Sequence, residues 1–117
     1  MEFRDAYDAY SSAWNAEDRS ERRALVDRVW AYDAVYVDDE APDGLVGSDA
    51  LLEYIADSHA EMPGLIVSET TDPKMLDRRM LVRWVATQGN AQRYSGTDVV
   101  EFGTDGRIAR VTNFFDD

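Results

Sequence analysis

The chain has 117 residues, the size of one domain with a single core. Its 24 acidic residues outnumber 12 basic ones, and a net charge of -12 repels phosphate backbones and anionic lipids, so we expect neither a nucleic acid nor a membrane partner. Without cysteine, the chain can form no disulfide, thiolate metal site or cysteine nucleophile. No leader or membrane-length apolar run is visible in the sequence, which predicts a cytoplasmic protein.

The first 30 residues predict two helices. Apolar residues from Phe3 to Trp14 recur every three or four positions, as on one face of an amphipathic helix. Asp18 and Glu21 form a capping-box pattern that predicts the start of a second helix. The apolar stripe of that helix consists of Leu25, Val26, Val29 and Trp30. The chain is therefore predicted to open with a helical hairpin.

A strand, a loop and a third helix are predicted next. The β-branched and aromatic residues from Ala34 to Asp38 indicate a strand, and the proline and glycines of residues 39–47 indicate a loop. Ser48 is the predicted cap of the third helix, which ends at Pro63 and Gly64. The predicted buried side of this helix consists of Leu52, Ile55, His59 and Met62.

The rest of the chain predicts a sheet. Strand-like segments cover residues 65–70, 75–87, 91–102 and 107–115, separated by Asp72-Pro73, by Gly89-Asn90 and by the loop 103–106. The resulting order, ααβαββββ, is typical of an α+β fold. No repeat, low-complexity tract or linker interrupts it, so residues 1–117 are predicted to form one domain.

Hairpin geometry predicts which strand residues face one another. A two-residue turn at Gly89-Asn90 places Arg83 opposite Gly96, and the loop 103–106 places Val111 opposite Asp98. One face is then shared by Arg79, Leu81, Arg83, Val85, Asp98, Val100, Phe102, Val111, Asn113 and Phe115. Because both faces are largely apolar, we expect the helices to cover one face and a second copy of the chain to cover the other, in a homodimer.

Three short motifs carry information about the family. They are YSSAWNAED at 10–18, WAYDAVYVD at 30–38, and GTDVVEF at 96–102 followed by DGRI at 105–108. Together with the element order, they resemble the nuclear transport factor two-like superfamily, and within it the SnoaL-like polyketide cyclases and ketosteroid isomerases. This resemblance implies a cone-shaped fold in which a curved, mostly antiparallel sheet wraps around a long helix, and it implies an apolar cavity and frequent dimers.

The resemblance also implies a function. It favours a cofactor-free isomerase, cyclase or dehydratase acting on a small apolar carbonyl compound, such as a polyketide-like or steroid-like molecule. Tyr10, Asp38 and Asp98 fall where ketosteroid isomerases keep an oxyanion-hole tyrosine, a general base and a protonated aspartic acid. The alternative is a non-catalytic small-molecule-binding or dimerisation domain of the same fold. Epoxide hydrolysis is less favoured, because Leu81 and Asn113 replace two of the three residues that limonene epoxide hydrolase relatives require.

Each candidate catalytic residue also has a structural interpretation. Asp38 is either a catalytic base or a strand-end aspartate beside an acidic loop. Asp98 is either a neutral acid or the partner of Arg79 or Arg83 in an ion pair. Arg83 could instead hold a substrate carboxylate or an enolate. Tyr10 is either catalytic or part of the core.

A further set of side chains is predicted to contact a ligand. They are Tyr36, Ile55, His59, Arg83, Asn113 and Phe115. Tyr94, like Tyr36, could supply the hydroxyl in place of Tyr10. His59 is the only histidine, so it is either a packed side chain or an acid/base group, and it cannot form a multi-histidine metal site. We therefore expect neither a metal nor a cofactor.

Overall fold

In the computed structural model, which describes residues 1–117, three helices pack against one face of a seven-stranded sheet. The helices are α1 (Phe3–Asn15), α2 (Arg19–Val29) and α3 (Ser48–Glu61). The strands are β1 (Trp30–Asp38), β2 (Ala41–Val46), β3 (Leu65–Glu69), β4 (Lys74–Leu76), β5 (Arg79–Gln88), β6 (Ala91–Phe102) and β7 (Ile108–Phe115). None of the helices has the length and apolarity needed to cross a membrane.

The sheet is open and mixed. Its strand order is β2-β1-β7-β6-β5-β3, and β4 pairs with the start of β5. Strands β1 and β7 are parallel, and all other pairs are antiparallel. The α+β class, the three helices and the mostly antiparallel sheet confirm the prediction, although β2 and β4 lengthen the predicted order to ααββαβββββ.

The helices begin and end close to their predicted positions. Asp18 caps α2, because its side chain accepts a hydrogen bond from the Glu21 backbone N–H at 3.2 Å. The predicted Ser48 cap is wrong: Gly47, at a positive φ of 86°, occupies the cap position of α3 and no side chain caps this helix. The buried residues of α3 are Leu51, Ile55 and Ala56, so its buried side is rotated from the predicted stripe.

Two segments differ from the prediction for reasons of local chemistry. Residues 41–46, predicted as loop, form edge strand β2, where the missing N–H of Pro42 can face away from the sheet. The predicted strand 75–87 is broken by a turn at Asp77 and Arg78, where Asp77 takes a positive φ of 54°. Strand β4 therefore folds back on β5, with Leu76 opposite Arg79.

The predicted register of β5 is wrong by one residue. Opposite Ala86 stands Tyr94, whereas Thr87 pairs with Gln92, so β6 contains an extra residue at this bulge. Asp98 consequently lies opposite Val82. A shift of one residue moves every side chain to the other face. Arg79, Leu81, Arg83 and Val85 are therefore on the outer face of the sheet, opposite to the prediction.

The register of β7 differs from the prediction by two residues, one because Phe102 pairs with Ile108 and not with Arg107, and one because of a second bulge between Glu101 and Phe102. Asn113 rather than Val111 lies opposite Asp98. Because a shift of two residues preserves the face, Val111, Asn113 and Phe115 keep their predicted facing. Phe115 now lies opposite Gly96.

The core lies between the helices and the inner face of the sheet. Tyr7, Tyr10 and Ala13 of α1 meet Met80, Val82 and Val100 of the sheet, among others. A second, smaller cluster consists of Met62, Leu65, Trp84 and Ala86. The outer face exposes Leu81 and Phe114, and the homodimer expected to cover it stays a prediction.

Candidate active site

A cavity of about 70 Å³ opens between α1, α3 and the inner face of the sheet. Nineteen residues line it, and twelve of them are hydrophobic. Six of the predicted site residues are among them: Tyr10, Tyr36, Asp38, Asp98, Asn113 and Phe115. The two aspartates, 60 positions apart in the chain, therefore share one cavity, because β1 and β6 both pair with β7.

Asp38 is an almost fully hydrogen-bonded carboxylate. Its Oδ2 accepts from the hydroxyls of Tyr36 at 2.7 Å and Tyr54 at 2.6 Å. Its Oδ1 accepts from the backbone N–H groups of Glu40 at 2.8 Å and Ala41 at 2.9 Å, in the tight connection from β1 to β2. Four donors and no acceptor are the surroundings that an ionised carboxylate requires. Both oxygens of Asp38 are thus engaged within the protein.

Asp98 has the opposite environment. It is 5% exposed, its Oδ2 accepts from the Tyr7 hydroxyl at 2.8 Å, and its Oδ1 is buried without a partner. Burial raises the pKa of Asp98 to about 7, the Tyr7 hydrogen bond lowers it, and the negative charge of Asp38 raises it further. Near neutral pH, Asp98 can therefore exist in either protonation state and can give or take a proton.

Tyr10 is a core residue of α1 that also lines the cavity. Its hydroxyl oxygen accepts from the indole N–H of Trp14 at 3.0 Å, which leaves the hydroxyl proton available to a ligand. Burial, followed by the nearby charge of Asp98, raises the pKa of Tyr10 well above its ordinary value. The phenol therefore stays protonated and can act as a donor.

A chain of hydrogen bonds fixes the far wall of the cavity. The indole N–H of Trp84 donates to Asn113 Oδ1 at 2.9 Å, and Asn113 Nδ2 donates to the Tyr36 hydroxyl at 3.2 Å. Tyr36 in turn donates to Asp38. The side-chain oxygen and nitrogen of Asn113 thus both have hydrogen-bond partners within the protein.

Three predicted site residues lie elsewhere. Arg83 is on the outer face, 52% exposed and 3.5 Å from Asp116, so the prediction that it faces the cavity is wrong. Of the two alternatives for Asp98, the ion pair with Arg79 or Arg83 is not formed. Arg79 is also on the outer face, 3.8 Å from Glu101. His59 Nε2 lies 2.6 Å from the Trp14 carbonyl oxygen, outside the cavity lining. Ile55 belongs to the core and does not line the cavity.

Several lining residues were not singled out from the sequence as ligand contacts. Tyr7 and Tyr54 are the most important, since each donates to one of the two aspartates. Tyr7 lies one turn before Tyr10 on the same stripe of α1, which is the signal that could have placed it in the site. Tyr54 carries no such signal, because it lies beside the predicted buried side of α3. No group of three or more acidic, histidine or cysteine side chains is arranged to hold a metal ion.

Three helices packed on one face of an open mixed sheet, with a cavity between them, form the fold of nuclear transport factor two-like proteins. The chain belongs to the SnoaL-like domain family, whose model matches residues 7–111. The match covers nearly the whole chain and confirms the resemblance read from the three sequence motifs.

Solved structures show the same fold. A candidate isomerase of the SnoaL-like family from Agrobacterium tumefaciens is 29% identical, with a TM-score of 0.87 over 96% of this chain and 95% of that one. A candidate polyketide cyclase from Sinorhizobium meliloti is 21% identical, with a TM-score of 0.74 over 93% of both chains. A protein with a ketosteroid isomerase-like fold from Catenulispora acidiphila, in complex with trimethylamine, is 14% identical, with a TM-score of 0.76 over 95% and 85% of the chains. Among curated proteins, no significant match is found.

Proposed function

We propose that the protein is a cofactor-free acid–base enzyme, an isomerase, cyclase or dehydratase, that acts on a small apolar carbonyl compound. The observation that carries this proposal is the unpartnered Oδ1 of Asp98, a buried carboxyl group on the wall of a cavity with a pKa of about 7. A general acid or base works best when its pKa is close to the working pH. Buried polar atoms without a hydrogen-bond partner are rare in folded proteins, and a catalytic role is one explanation for such an atom.

In the proposed reaction, ionised Asp98 removes a proton from the carbon next to the substrate carbonyl. The C–H electron pair moves into the carbonyl group, and the hydroxyl of Tyr10 donates a hydrogen bond to the resulting enolate oxygen. Protonated Asp98 then returns the proton to another carbon, which gives isomerisation, or to a leaving hydroxyl, which gives dehydration. The proton and the electron pair balance without a cofactor.

This proposal moves the base from Asp38, where the sequence placed it, to Asp98. Asp38 already accepts four hydrogen bonds, and removing a substrate proton would require it to give up at least one of them. We assign Asp38 a positioning role, in which it holds the hydroxyls of Tyr36 and Tyr54. Its negative charge also helps keep the pKa of Asp98 high.

Deuterium exchange tests the proposal without knowledge of the natural substrate. Cyclopentanone and 2-cyclohexen-1-one, each incubated with the protein in D₂O, are expected to lose hydrogen next to the carbonyl, as followed by proton NMR. Asp98→Asn should reduce the exchange rate by a factor of ~100 or more, because it removes the general base. Glu53→Gln, an exposed change on α3 outside the cavity, is the matched control. Exchange that persists in folded Asp98→Asn would refute the assignment.

A second candidate function is non-catalytic binding of a small molecule. The volume of about 70 Å³ favours it, because pockets for drug-sized ligands usually measure ~300–1,000 Å³. The trimethylamine bound to one structural neighbour is a ligand of suitable size. Saturable binding of a small ligand with no exchange of any ketone proton would favour this candidate. A steroid-sized substrate would need the cavity to widen, so we favour a smaller carbonyl compound.

A homodimer in the cytoplasm stays a prediction from the sequence.

A further inference from the structure

The cavity has a one-sided distribution of charge. Four acidic residues, Asp38, Glu40, Glu61 and Asp98, line it, and none of the twelve arginines and lysines of the chain does. The two glutamates are exposed and lie at the mouth, whereas the two aspartates are buried. The net charge of -12 adds to the same potential. A low-dielectric cleft lined by one sign of charge concentrates ligands of the opposite sign and repels anions.

Aromatic rings supply the second component. Trp14, Tyr36 and Tyr54 form one group on the cavity wall, with ring centroids 5.4 to 6.2 Å apart. A second group on the wall consists of Trp84, Tyr94 and Phe115, with neighbouring centroids 5.7 and 6.0 Å apart. The face of an aromatic ring attracts a cation, most strongly where water is excluded. Tyr54 and Tyr94 are partly exposed, so aromatic surface also reaches towards the mouth.

The third component is the orphaned carboxyl oxygen. Asp98 Oδ1 is buried on the cavity wall without a donor, whereas Asp38 at the same wall has four. The cavity therefore offers an unused acceptor at its inner end, together with negative charge and aromatic surface towards its mouth. A neutral hydrocarbon would leave the acceptor unmatched, and an anion would face four carboxyl groups without one cation.

We propose that the ligand of this cavity carries an ammonium group, held near the mouth by the aromatic rings and by Glu40 and Glu61, with its reacting end at Asp98 and Tyr10. The proposal rests on the proposed function for the chemistry at the inner end. It changes the expected substrate from an apolar carbonyl compound to a small carbonyl compound that carries an amine or a quaternary ammonium group. Carboxylate and phosphate substrates are excluded by the same charges.

The test compares three probes of similar shape and different charge: tetramethylammonium, neutral tert-butanol and anionic pivalate. Binding is followed at low ionic strength by fluorescence, since Trp14 and Trp84 line the cavity, and by ligand-observed NMR. We expect tetramethylammonium to bind about tenfold more tightly than tert-butanol, and pivalate to show no saturation. Equal affinities, tighter binding of pivalate, or no saturation by tetramethylammonium would each overturn the proposal.

Paired variants locate the cation. Glu40→Gln combined with Glu61→Gln removes two charges from the mouth and is expected to weaken tetramethylammonium binding about threefold or more, without changing tert-butanol binding. Asp33→Asn combined with Asp72→Asn changes the net charge equally at two exposed positions outside the cavity and is expected to have a smaller effect. Equal effects of the two double variants would overturn the placement.

Binding and catalysis can fail separately in these experiments. Tight tetramethylammonium binding without ketone exchange would remove the proposed enzyme and keep the cation site. Exchange that depends on Asp98, with equal binding of the three probes, would support the proposed enzyme and refute the proposal that its substrate carries an ammonium group.

Discussion

Replacing Asp98 by asparagine is expected to stabilise the fold at pH 8. An unfolded aspartate ionises near 3.8, whereas burial raises the pKa of folded Asp98 to about 7. Between these two pH values the folded state binds more protons than the unfolded state, so stability falls as pH rises. Below pH 3.8 the carboxyl group is neutral in both states, so the free-energy cost of burying an ionised Asp98 is absent. Above about pH 7 the cost is complete and constant.

The size of the stabilisation follows from the difference between the folded and unfolded pKa values of Asp98. This difference spans about three pH units, and each unit corresponds to ~1.4 kcal/mol, so ionised Asp98 costs the folded state about 4 kcal/mol at most. Asparagine avoids this cost, has nearly the same shape, and its amide oxygen can still accept from the Tyr7 hydroxyl. The stabilisation by Asp98→Asn should therefore grow from pH 4 to pH 7 and then level off.

Urea unfolding of the wild type and the variant, at half-unit steps from pH 4.5 to 8.5, measures this difference. Asp38→Asn is the matched comparison, and it should destabilise the fold by roughly 2 kcal/mol at pH 8, because it weakens charge-assisted hydrogen bonds from four donors. The same substitution at two aspartates of one cavity thus has opposite signs. A pH-independent loss of stability in Asp98→Asn would refute the reasoning.

Three further variants test neighbouring contacts. Tyr7→Phe removes the hydrogen bond that lowers the pKa of Asp98, so the midpoint of the exchange rate against pH should move upwards; an unchanged midpoint contradicts this role. Arg83→Gln, on the outer face, should change stability by less than ~0.5 kcal/mol and leave exchange unaltered, whereas a large loss of exchange would return Arg83 to the site. Gly96→Ala would bring a Cβ against the backbone carbonyl oxygen of Phe114 and to 2.8 Å from the ring of Trp84, so a loss of ~1–3 kcal/mol in thermal melts and altered tryptophan fluorescence are expected.

The sequence was sufficient to predict the fold because its signals are local and repeated. The apolar stripe of α1 has the period of a helix, and the alternation along β6 and β7 has the period of a strand. Asp18 marks the start of α2 by its capping pattern. Strand β2 was missed because its proline and glycine are tolerated at a sheet edge, which is a property of topology rather than of composition.

The site was predictable only in part. Asp38 and Asp98 lie in one cavity as expected, but their different roles depend on hydrogen bonds from residues far away in the chain, such as Tyr7 and Tyr54. The predicted facing of Arg83 is wrong because one bulge in β6 reverses the facing of all of β5. No residue pattern near the turn predicts this bulge. Side-chain facing is thus far more sensitive to a single residue than the fold is.

The central claim is that Asp98, rather than Asp38, is the proton carrier of this cavity. Carbon-13 NMR of the side-chain carboxyl groups tests it most directly, with Asp98 assigned as the resonance missing from Asp98→Asn. The claim predicts that this resonance titrates with a midpoint near pH 7. A midpoint below about pH 5 would show an ordinary ionised carboxylate at this position and would contradict the claim.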